Sequence, residues 1–144
     1  MAQNEMHISF SGLSQNEGFA RMVAGSFAMQ LNPTIEELSD IRTAVSEAVT
    51  NAIIHGYENK PGTVYMDCYL NDNEFTAVIR DEGSGIEDIS LARQPFYTSK
   101  PELERSGMGF TVMEAFMDTL EVASEPGKGT VVTLKKKIGQ DQSQ

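Results

Sequence analysis

The sequence lacks the features that mark secreted and membrane proteins. Its 144 residues include a single cysteine, Cys68, which cannot form a disulfide within the chain. No apolar stretch approaches the roughly 20 residues that a membrane-spanning helix needs. The start of the chain has no basic segment followed by an apolar one, so we expect no signal peptide. These absences predict a cytoplasmic protein, and the length suits one domain with a core of its own.

Basic side chains are scarce as well. The chain has 11 lysine and arginine residues against 21 aspartate and glutamate residues, which gives a formal net charge of −10. A surface of that sign repels a phosphate backbone, and no basic stripe offsets the repulsion. We therefore expect no direct contact with nucleic acid, whereas an acidic face would suit a basic protein partner.

Three widespread nucleotide-binding signatures are missing. A Walker P-loop requires Gly-x-x-x-x-Gly-Lys-Ser/Thr, but around Lys128 the first glycine position holds Val122 and the hydroxyl position holds Gly129. The His-Arg-Asp and Asp-Phe-Gly signatures of eukaryotic-type protein kinases are not found, and neither is a Rossmann fingerprint. A nucleotide site in this chain would need a different arrangement.

What the sequence does contain is a regular succession of strand and helix patterns. Segments in which apolar and polar residues alternate predict strands. The polar turn after the second of these strands favours a hairpin with the third. The predicted strands cover residues 6–10, 64–70, 75–79, 119–124 and 130–135.

Two long helices are predicted between these strands. A four-residue recurrence of apolar side chains over 19–31 predicts an amphipathic helix that ends before Pro33. Thr34 and Glu37 have the spacing of a capping box, in which hydroxyl and carboxylate satisfy the free amides at a helix start. The helix that they open is the longest in the chain and is expected to stop near Gly56.

The second half of the chain contains a predicted lid. Periodicity is lost between Ile86 and Ser106, where charge is dense, and loops of that length usually have a function. A short helix follows, with Phe110 among its inward residues. We expect residues 1–137 to form one domain and the polar tail, 138–144, to be disordered.

One line of polar residues along the long helix suggests chemistry. Glu47, Asn51 and His55 are four residues apart and therefore share a face. The amide oxygen of Asn51 is a hard, uncharged ligand that suits magnesium beside phosphate, and Glu47 would accept a proton from an attacking hydroxyl. A solvated helix face is the ordinary alternative. His55 is more simply explained as a residue that favours the helix dipole.

Two glycine motifs suggest a nucleotide. In Asp81-x-Gly83-x-Gly85 the glycines let the main chain approach a flat ligand, and the carboxylate would accept the exocyclic amine of adenine. In Gly107-x-Gly109 free amides at a helix start would meet phosphate oxygens. Taken singly, the first motif is equally an acidic turn and the second a hinge.

A fourth motif, Gly127-x-Gly129-Thr130, is either a plain hairpin turn or a wall of the same pocket. In order and spacing the four motifs resemble the ATP-binding site of the gyrase, Hsp90, histidine-kinase and MutL superfamily. The phrases at 46–52 and 104–110 look closer to the sporulation anti-sigma factors, which are serine protein kinases, and this resemblance covers nearly the whole chain. It implies an α/β (α+β) two-layer sandwich of Bergerat type, with a mixed, mainly antiparallel sheet, helices on one face and a lid over ATP.

The resemblance also implies roles for individual residues. Glu47 and Arg105 would be catalytic, with Arg105 sensing the γ-phosphate, and Asn51 would bind magnesium. ATP or ADP would be held by a set of residues from the motifs and the lid. These are Asn51, Asp81, Gly83, Gly85, Ile86, Thr98, Ser99, Ser106, Gly107, Met108, Gly109, Phe110 and Thr130.

The implied partners are proteins. The resemblance predicts a sporulation sigma factor and an anti-anti-sigma protein that is phosphorylated on serine, with Arg21 at the partner surface. It also predicts a homodimer formed through the opening strand and first helix, with no membrane contact.

A nucleotide-gated binding module without phosphotransfer remains an alternative function, although such a module would not need Glu47. A histidine-kinase catalytic domain would need a phosphoacceptor histidine on a preceding helical hairpin, and the only histidines are His7 and His55. A gyrase-type ATPase ranks last because it requires transducer domains.

Overall fold

Helices cover one face of a five-stranded antiparallel sheet. The computed structural model describes residues 3–86, 88–94 and 109–139. The elements in chain order are β1 (Asn4–Ser11), α1 (Gln15–Ala28), a 3₁₀ turn (Met29–Leu31), α2 (Ile35–Asn51), a π-helical turn (Ala52–Gly56), β2 (Thr63–Asn71), β3 (Glu74–Asp81), α3 (Ile89–Ala92), α4 (Gly109–Phe116), β4 (Thr119–Glu125) and β5 (Gly129–Lys137). The predicted two-layer fold and the predicted hairpin of β2 and β3 are confirmed.

The strand order in the sheet is β1-β2-β3-β5-β4. All four strand pairs are antiparallel, so the parallel pair that a mixed sheet would require does not occur among the described strands. Because β3 lies in the middle of the sheet, its last residue, Asp81, leaves the sheet beside the first residues of β5. This topology places the Asp81-x-Gly83-x-Gly85 motif next to the Gly127-x-Gly129-Thr130 motif.

The core lies between the sheet and the helices. Alternate residues of β2 and β3 point toward the helices and are buried, as the period of two requires. The largest of the fully buried side chains include Phe75, Met66 and Ile79 from the sheet and Ile41 and Met113 from the helices. Burying a side chain of this size stabilises the fold by about 1.5–3 kcal/mol.

The packed face of α1 differs from the expected one. Ala20, Ala24 and Ala28 have no exposed surface, whereas Phe19, which begins the predicted apolar stripe, is 55% exposed. Small side chains let α1 lie close to α2, so the alanines, rather than the larger residue, determine which face is buried. No helix in the described ranges is both long and apolar enough to cross a bilayer.

The two ends of α2 are built differently. At its start, the Thr34 amide donates to Glu37 Oε1 over 2.8 Å, and the Glu37 amide donates to Thr34 Oγ1 over 3.0 Å, which confirms the capping box. At its end the backbone widens into the π-helical turn, in which the Tyr57 amide donates to the Ala52 carbonyl over 3.0 Å. Such turns occur mostly within α-helices and often at functional sites.

The chain beyond β5 is partly folded, which corrects the expectation of a disordered tail from 138. Ile138 is 3% exposed, and its amide donates to the Asn73 carbonyl over 2.7 Å. The amide of Gly139 donates to Glu37 Oε2 over 3.0 Å. A buried apolar side chain and two hydrogen bonds donated by main-chain amides hold these two residues, and 140–144 lie outside the described ranges.

Candidate functional site

A buried carboxylate lies at the end of β3. Asp81 is only 4% exposed, and its Oδ1 accepts the Gly83 amide over 2.9 Å. Burial raises the pKa of Asp81, while backbone hydrogen bonds from Gly83 and Thr130 partly oppose that rise. The side chain is therefore held rigidly inside the protein and has acceptor capacity left for a ligand.

The end of the long helix closes over this carboxylate. A Cβ atom at Gly56 would stand 2.7 Å from Cγ of Asp81, so the main chain of the π-helical turn lies directly on the carboxyl group. A Cβ atom at Gly83 would stand only 2.0 Å from the Gly56 carbonyl oxygen, which explains the glycine. Ser84 fastens the contact, because its amide donates to the Gly56 carbonyl over 2.8 Å and its hydroxyl to the His55 carbonyl over 3.0 Å.

The turn between β4 and β5 forms the opposite wall. Gly129 has a φ of +105°, and a Cβ atom there would stand 2.1 Å from the Asp81 carbonyl oxygen. The Gly127 amide donates to the Ser84 carbonyl over 2.6 Å. Thr130 is 3% exposed beside Asp81. Three segments far apart in sequence thus meet around one carboxylate.

Ser124 belongs to this wall, although the sequence gives no sign of it. Its Oγ accepts the Ile86 amide over 2.7 Å, donates to the Gly129 carbonyl over 2.9 Å and lies 2.9 Å from Thr130 Oγ1. Gly85, with a φ of +79°, lies against the main chain at the end of β4. Nothing in the residues beside Ser124 marks it in the sequence, since its three partners are 38, 5 and 6 positions away.

Glu47 and Asn51 lie along the last turns of α2. Asn51 is its last residue and is half-buried, and Glu47 is one turn earlier. A Cβ atom at Gly109 would stand 3.4 Å from Glu47 Oε1, so this carboxylate lies beside the first residue of α4. His55 falls within the π-helical turn and therefore does not continue the α-helical spacing of the other two.

Asn51 is the predicted magnesium ligand, and the chemistry of its side chain suits that role. Its side chain offers one hard, neutral oxygen at the end of α2. Within the described ranges, no three histidine, cysteine, aspartate or glutamate side chains form a group that would hold a metal ion. An ion at Asn51 would therefore take its remaining ligands from phosphate oxygens and water, which is the usual arrangement for magnesium.

A groove of about 370 Å³ runs along α2 next to α1 and reaches Glu47. Arg21, Arg42 and Ser46 are among its lining residues. Arg21 is partly exposed and lies 3.4 Å from a carboxylate oxygen of Glu17, which also accepts the hydroxyl of Ser46. The predicted partner residue and the predicted catalytic carboxylate thus line one groove.

Other predicted contacts fall on or near the lid. Phe110 is 7% exposed and packs in the hydrophobic core, so at the start of α4 it can offer a ligand its main chain rather than its ring. The remaining lid residues lie outside the described ranges and stay predictions. They are Thr98, Ser99, Arg105, Ser106, Gly107 and Met108.

Comparison with known proteins agrees with this arrangement. Residues 13–136 match the model of the histidine kinase-like ATPase domain family. The match spans every described element of the candidate site, from Arg21 to Thr130. Membership of this family implies that the domain binds a nucleotide.

Several curated relatives are similar over nearly their whole length. The chain is 56% identical over 142 residues to the anti-sigma F factor of Oceanobacillus iheyensis, covering 98% of this chain and 97% of that protein. It is 61% identical over 136 residues to the anti-sigma F factor of Shouchella clausii, covering 94% and 93%. A solved structure of the RsbU and RsbW domains of a Mycobacterium tuberculosis protein has a TM-score of 0.67 at 20% identity. That similarity covers 94% of this chain and 32% of the longer one, and it supports the fold.

Proposed function

Because the chain belongs to the anti-sigma F factor family and contains a histidine kinase-like ATPase domain, we propose that it is an ATP-dependent anti-sigma factor and protein serine kinase. It would hold a sporulation sigma factor inactive and phosphorylate a serine of an anti-anti-sigma protein. One observation carries the kinase half of this proposal. Glu47 lies both beside the first residue of α4 and on the wall of an open groove.

The adenine end of the nucleotide would bind at Asp81. The carboxylate would accept a hydrogen bond from the exocyclic amine of adenine. Gly83, Gly85 and Ile86 would supply main-chain contacts on one side, and Thr130 would form the other. Burial supports this role, since a hydrogen bond to a carboxylate is stronger where water is excluded.

The phosphate end would lie toward α4. Asn51 would hold magnesium, which neutralises phosphate charge during transfer. The amides of 106–110 would meet phosphate oxygens at the positive end of α4. Arg105 would stabilise charge on the γ-phosphate, and Thr98 and Ser99 would contact the phosphates from the lid.

Glu47 would act on the attacking hydroxyl. The partner's serine oxygen would form a bond to the γ-phosphorus while the bond from that phosphorus to the ADP oxygen breaks. Glu47 would accept the serine proton, or orient the hydroxyl, at the point where the groove reaches α4. Losing such a group commonly slows the step by roughly 10²–10⁴-fold.

The groove would hold the partner. Arg21 and Arg42 bring two guanidinium groups to one groove of an otherwise acidic chain, so it suits a segment with acidic side chains. A serine on that segment would then be presented to Glu47. The sigma factor would be held near Arg21, and β1 and α1 would supply the homodimer contacts.

The test is phosphate transfer under single-turnover conditions. Purified chain with labelled ATP and the purified anti-anti-sigma partner should give phosphoserine on the partner. Glu47→Ala should bind ATP within about twofold of the wild type but transfer roughly 10²–10⁴-fold more slowly. Glu121→Ala, which removes an exposed carboxylate on β4, is the matched control and should transfer normally.

Two results would change the conclusion. A wild-type chain that binds ATP and its partner but transfers nothing would be a nucleotide-gated binding module. An undiminished transfer rate in Glu47→Ala would mean that Glu47 has no role in transfer and belongs to the ordinary solvated face of α2.

A further inference from the structure

The phenol of Tyr57 joins two strands next to the candidate adenine site. Tyr57 follows the π-helical turn directly. Its hydroxyl donates to the Thr63 carbonyl over 2.6 Å and accepts the Glu82 amide over 2.7 Å. Thr63 begins β2, and Glu82 comes directly after the last residue of β3. One oxygen atom therefore ties the start of β2 to the exit of β3.

The ring of Tyr57 lies in a socket of main-chain atoms. A Cβ atom at Gly62 would stand 2.5 Å from ring atoms Cδ1 and Cε1, and one at Gly12 would stand 3.4 Å from Cδ2. The Gly12 amide donates to the Gly62 carbonyl over 2.8 Å, which holds the two sides of the socket together. A phenol is neutral at physiological pH, and burial raises the pKa of Tyr57 further, which is consistent with its hydroxyl donating to Thr63.

The amide that Tyr57 accepts belongs to the peptide between Asp81 and Glu82. A peptide group is planar, so a hydrogen bond that fixes the direction of its N–H also fixes the orientation of the peptide plane bonded to the Asp81 Cα atom. The Asp81 side chain is in turn held by the amides of Gly83 and Thr130. The main chain on one side and the carboxylate on the other are thus held by separate hydrogen bonds.

We propose that Tyr57 is a positioning residue that directs the Asp81 carboxylate toward the exocyclic amine of adenine. This inference rests on the adenine role proposed above for Asp81. Tyr57 itself need not touch the nucleotide. Its effect passes through the peptide after Asp81, and it should appear as selectivity for adenine rather than as stability.

The structure separates an effect on adenine selectivity from an effect on stability. Glu82 and Thr63 are both exposed, so the Glu82 amide and the Thr63 carbonyl would bind water if the phenol oxygen were removed, and little stability would be lost. The ring would still fill its socket in Tyr57→Phe. The Asp81–Glu82 peptide, however, would lose the hydrogen bond that sets the direction of its N–H group.

The experiment compares ATP with inosine triphosphate, which carries an oxygen in place of the exocyclic amine. Tyr57→Phe should bind ATP about three- to tenfold more weakly, the usual effect of one hydrogen bond, while inosine triphosphate is affected little. The preference for ATP should therefore shrink by the same factor, with a melting temperature close to that of the wild type. Tyr69→Phe is the matched control and should change neither affinity. The Tyr69 ring lies on the open sheet face, with its centroid 5.7 Å from that of the His7 ring.

A second pair of variants separates this inference from the proposed function. Asp81→Asn should abolish most of the preference for ATP, and adding Tyr57→Phe to it should cause no further loss. An intact preference in Asp81→Asn would remove the adenine role and this inference with it. If Asp81→Asn loses the preference but Tyr57→Phe keeps it, or weakens both nucleotides equally, the positioning role alone is overturned. Independent losses that add in the double variant would overturn it too.

Discussion

Replacing Gly83 by alanine is the sharpest structural test of the site. The new methyl carbon would lie 2.0 Å from the Gly56 carbonyl oxygen and 2.3 Å from its carbonyl carbon. Both are main-chain atoms, so no flexible side chain can turn away. The π-helical turn and the loop after β3 must therefore separate by roughly 1.4 Å before the contact becomes an ordinary one of 3.4 Å.

The expected loss follows from two contributions. Forcing an extra carbon into a packed contact typically costs about 1–3 kcal/mol. The separation also breaks the hydrogen bond from the Ser84 amide to the Gly56 carbonyl, which is worth about 0.5–1.5 kcal/mol. Together they predict a fall of about 1.5–4.5 kcal/mol in the free energy of unfolding, or roughly 5–15 °C in melting temperature for a chain of this size. Nucleotide affinity should fall as well, because Asp81 accepts the Gly83 amide.

Gly18→Ala is the matched control. Nothing lies within 4 Å of a Cβ atom at Gly18, which is inside α1, so alanine should raise stability by about 0.5–1 kcal/mol. Thermal and urea unfolding of the two variants, with nucleotide titration of each, measures both effects. If Gly83→Ala had the unfolding free energy and the nucleotide affinity of the wild type, the close approach of Gly56 and Gly83 would be wrong.

Three further variants test separate features. Arg105→Ala should bind ADP normally but lose the ability to distinguish ATP from it, because only ATP carries the γ-phosphate; unchanged discrimination in equilibrium titrations would contradict the predicted sensor. Arg21→Ala should weaken partner capture by size-exclusion or interferometry while leaving ATP affinity intact, and a loss of ATP binding would instead mean that Arg21 supports the pocket. His7 lies 2.7 Å from carboxylate oxygens of both Glu5 and Asp67, and these hydrogen bonds raise its pKa. Its contribution to stability is full below its ordinary pKa of about 6.5 and is lost as pH rises through the higher folded-state pKa, so His7→Gln should be destabilising at pH about 5.5 and neutral at pH about 9. A difference in unfolding free energy that did not shrink with pH would refute this.

Local chemistry is what the sequence predicts best. The capping box at Thr34 and Glu37 was correctly predicted because both partners lie within one helical turn. The hairpin of β2 and β3 was correctly predicted because its turn residues are contiguous. Each depends on spacings of a few residues, which can be read from the chain directly.

Long-range contacts account for what the sequence missed. Ser124 and Tyr57 act through main-chain groups of residues 38 and 25 positions away, and no pattern in the chain joins them. The exposure of Phe19 follows from how closely α1 approaches α2, which periodicity alone does not specify. Ile138 was missed for the same reason, since its partner is the distant Asn73.

The convergence of three segments on Asp81 means that the adenine site proposed above would exist only when the whole domain is folded. Neither the end of α2, the exit of β3 nor the turn before β5 can form a wall by itself. A nucleotide bound there would therefore have no binding site in the unfolded chain and would shift the folding equilibrium by mass action. At a nucleotide concentration a hundred times the dissociation constant, the folded state gains about 2.7 kcal/mol. The concentration of adenine nucleotide in the cell would thus influence how long this protein survives proteolysis, independently of any partner it holds.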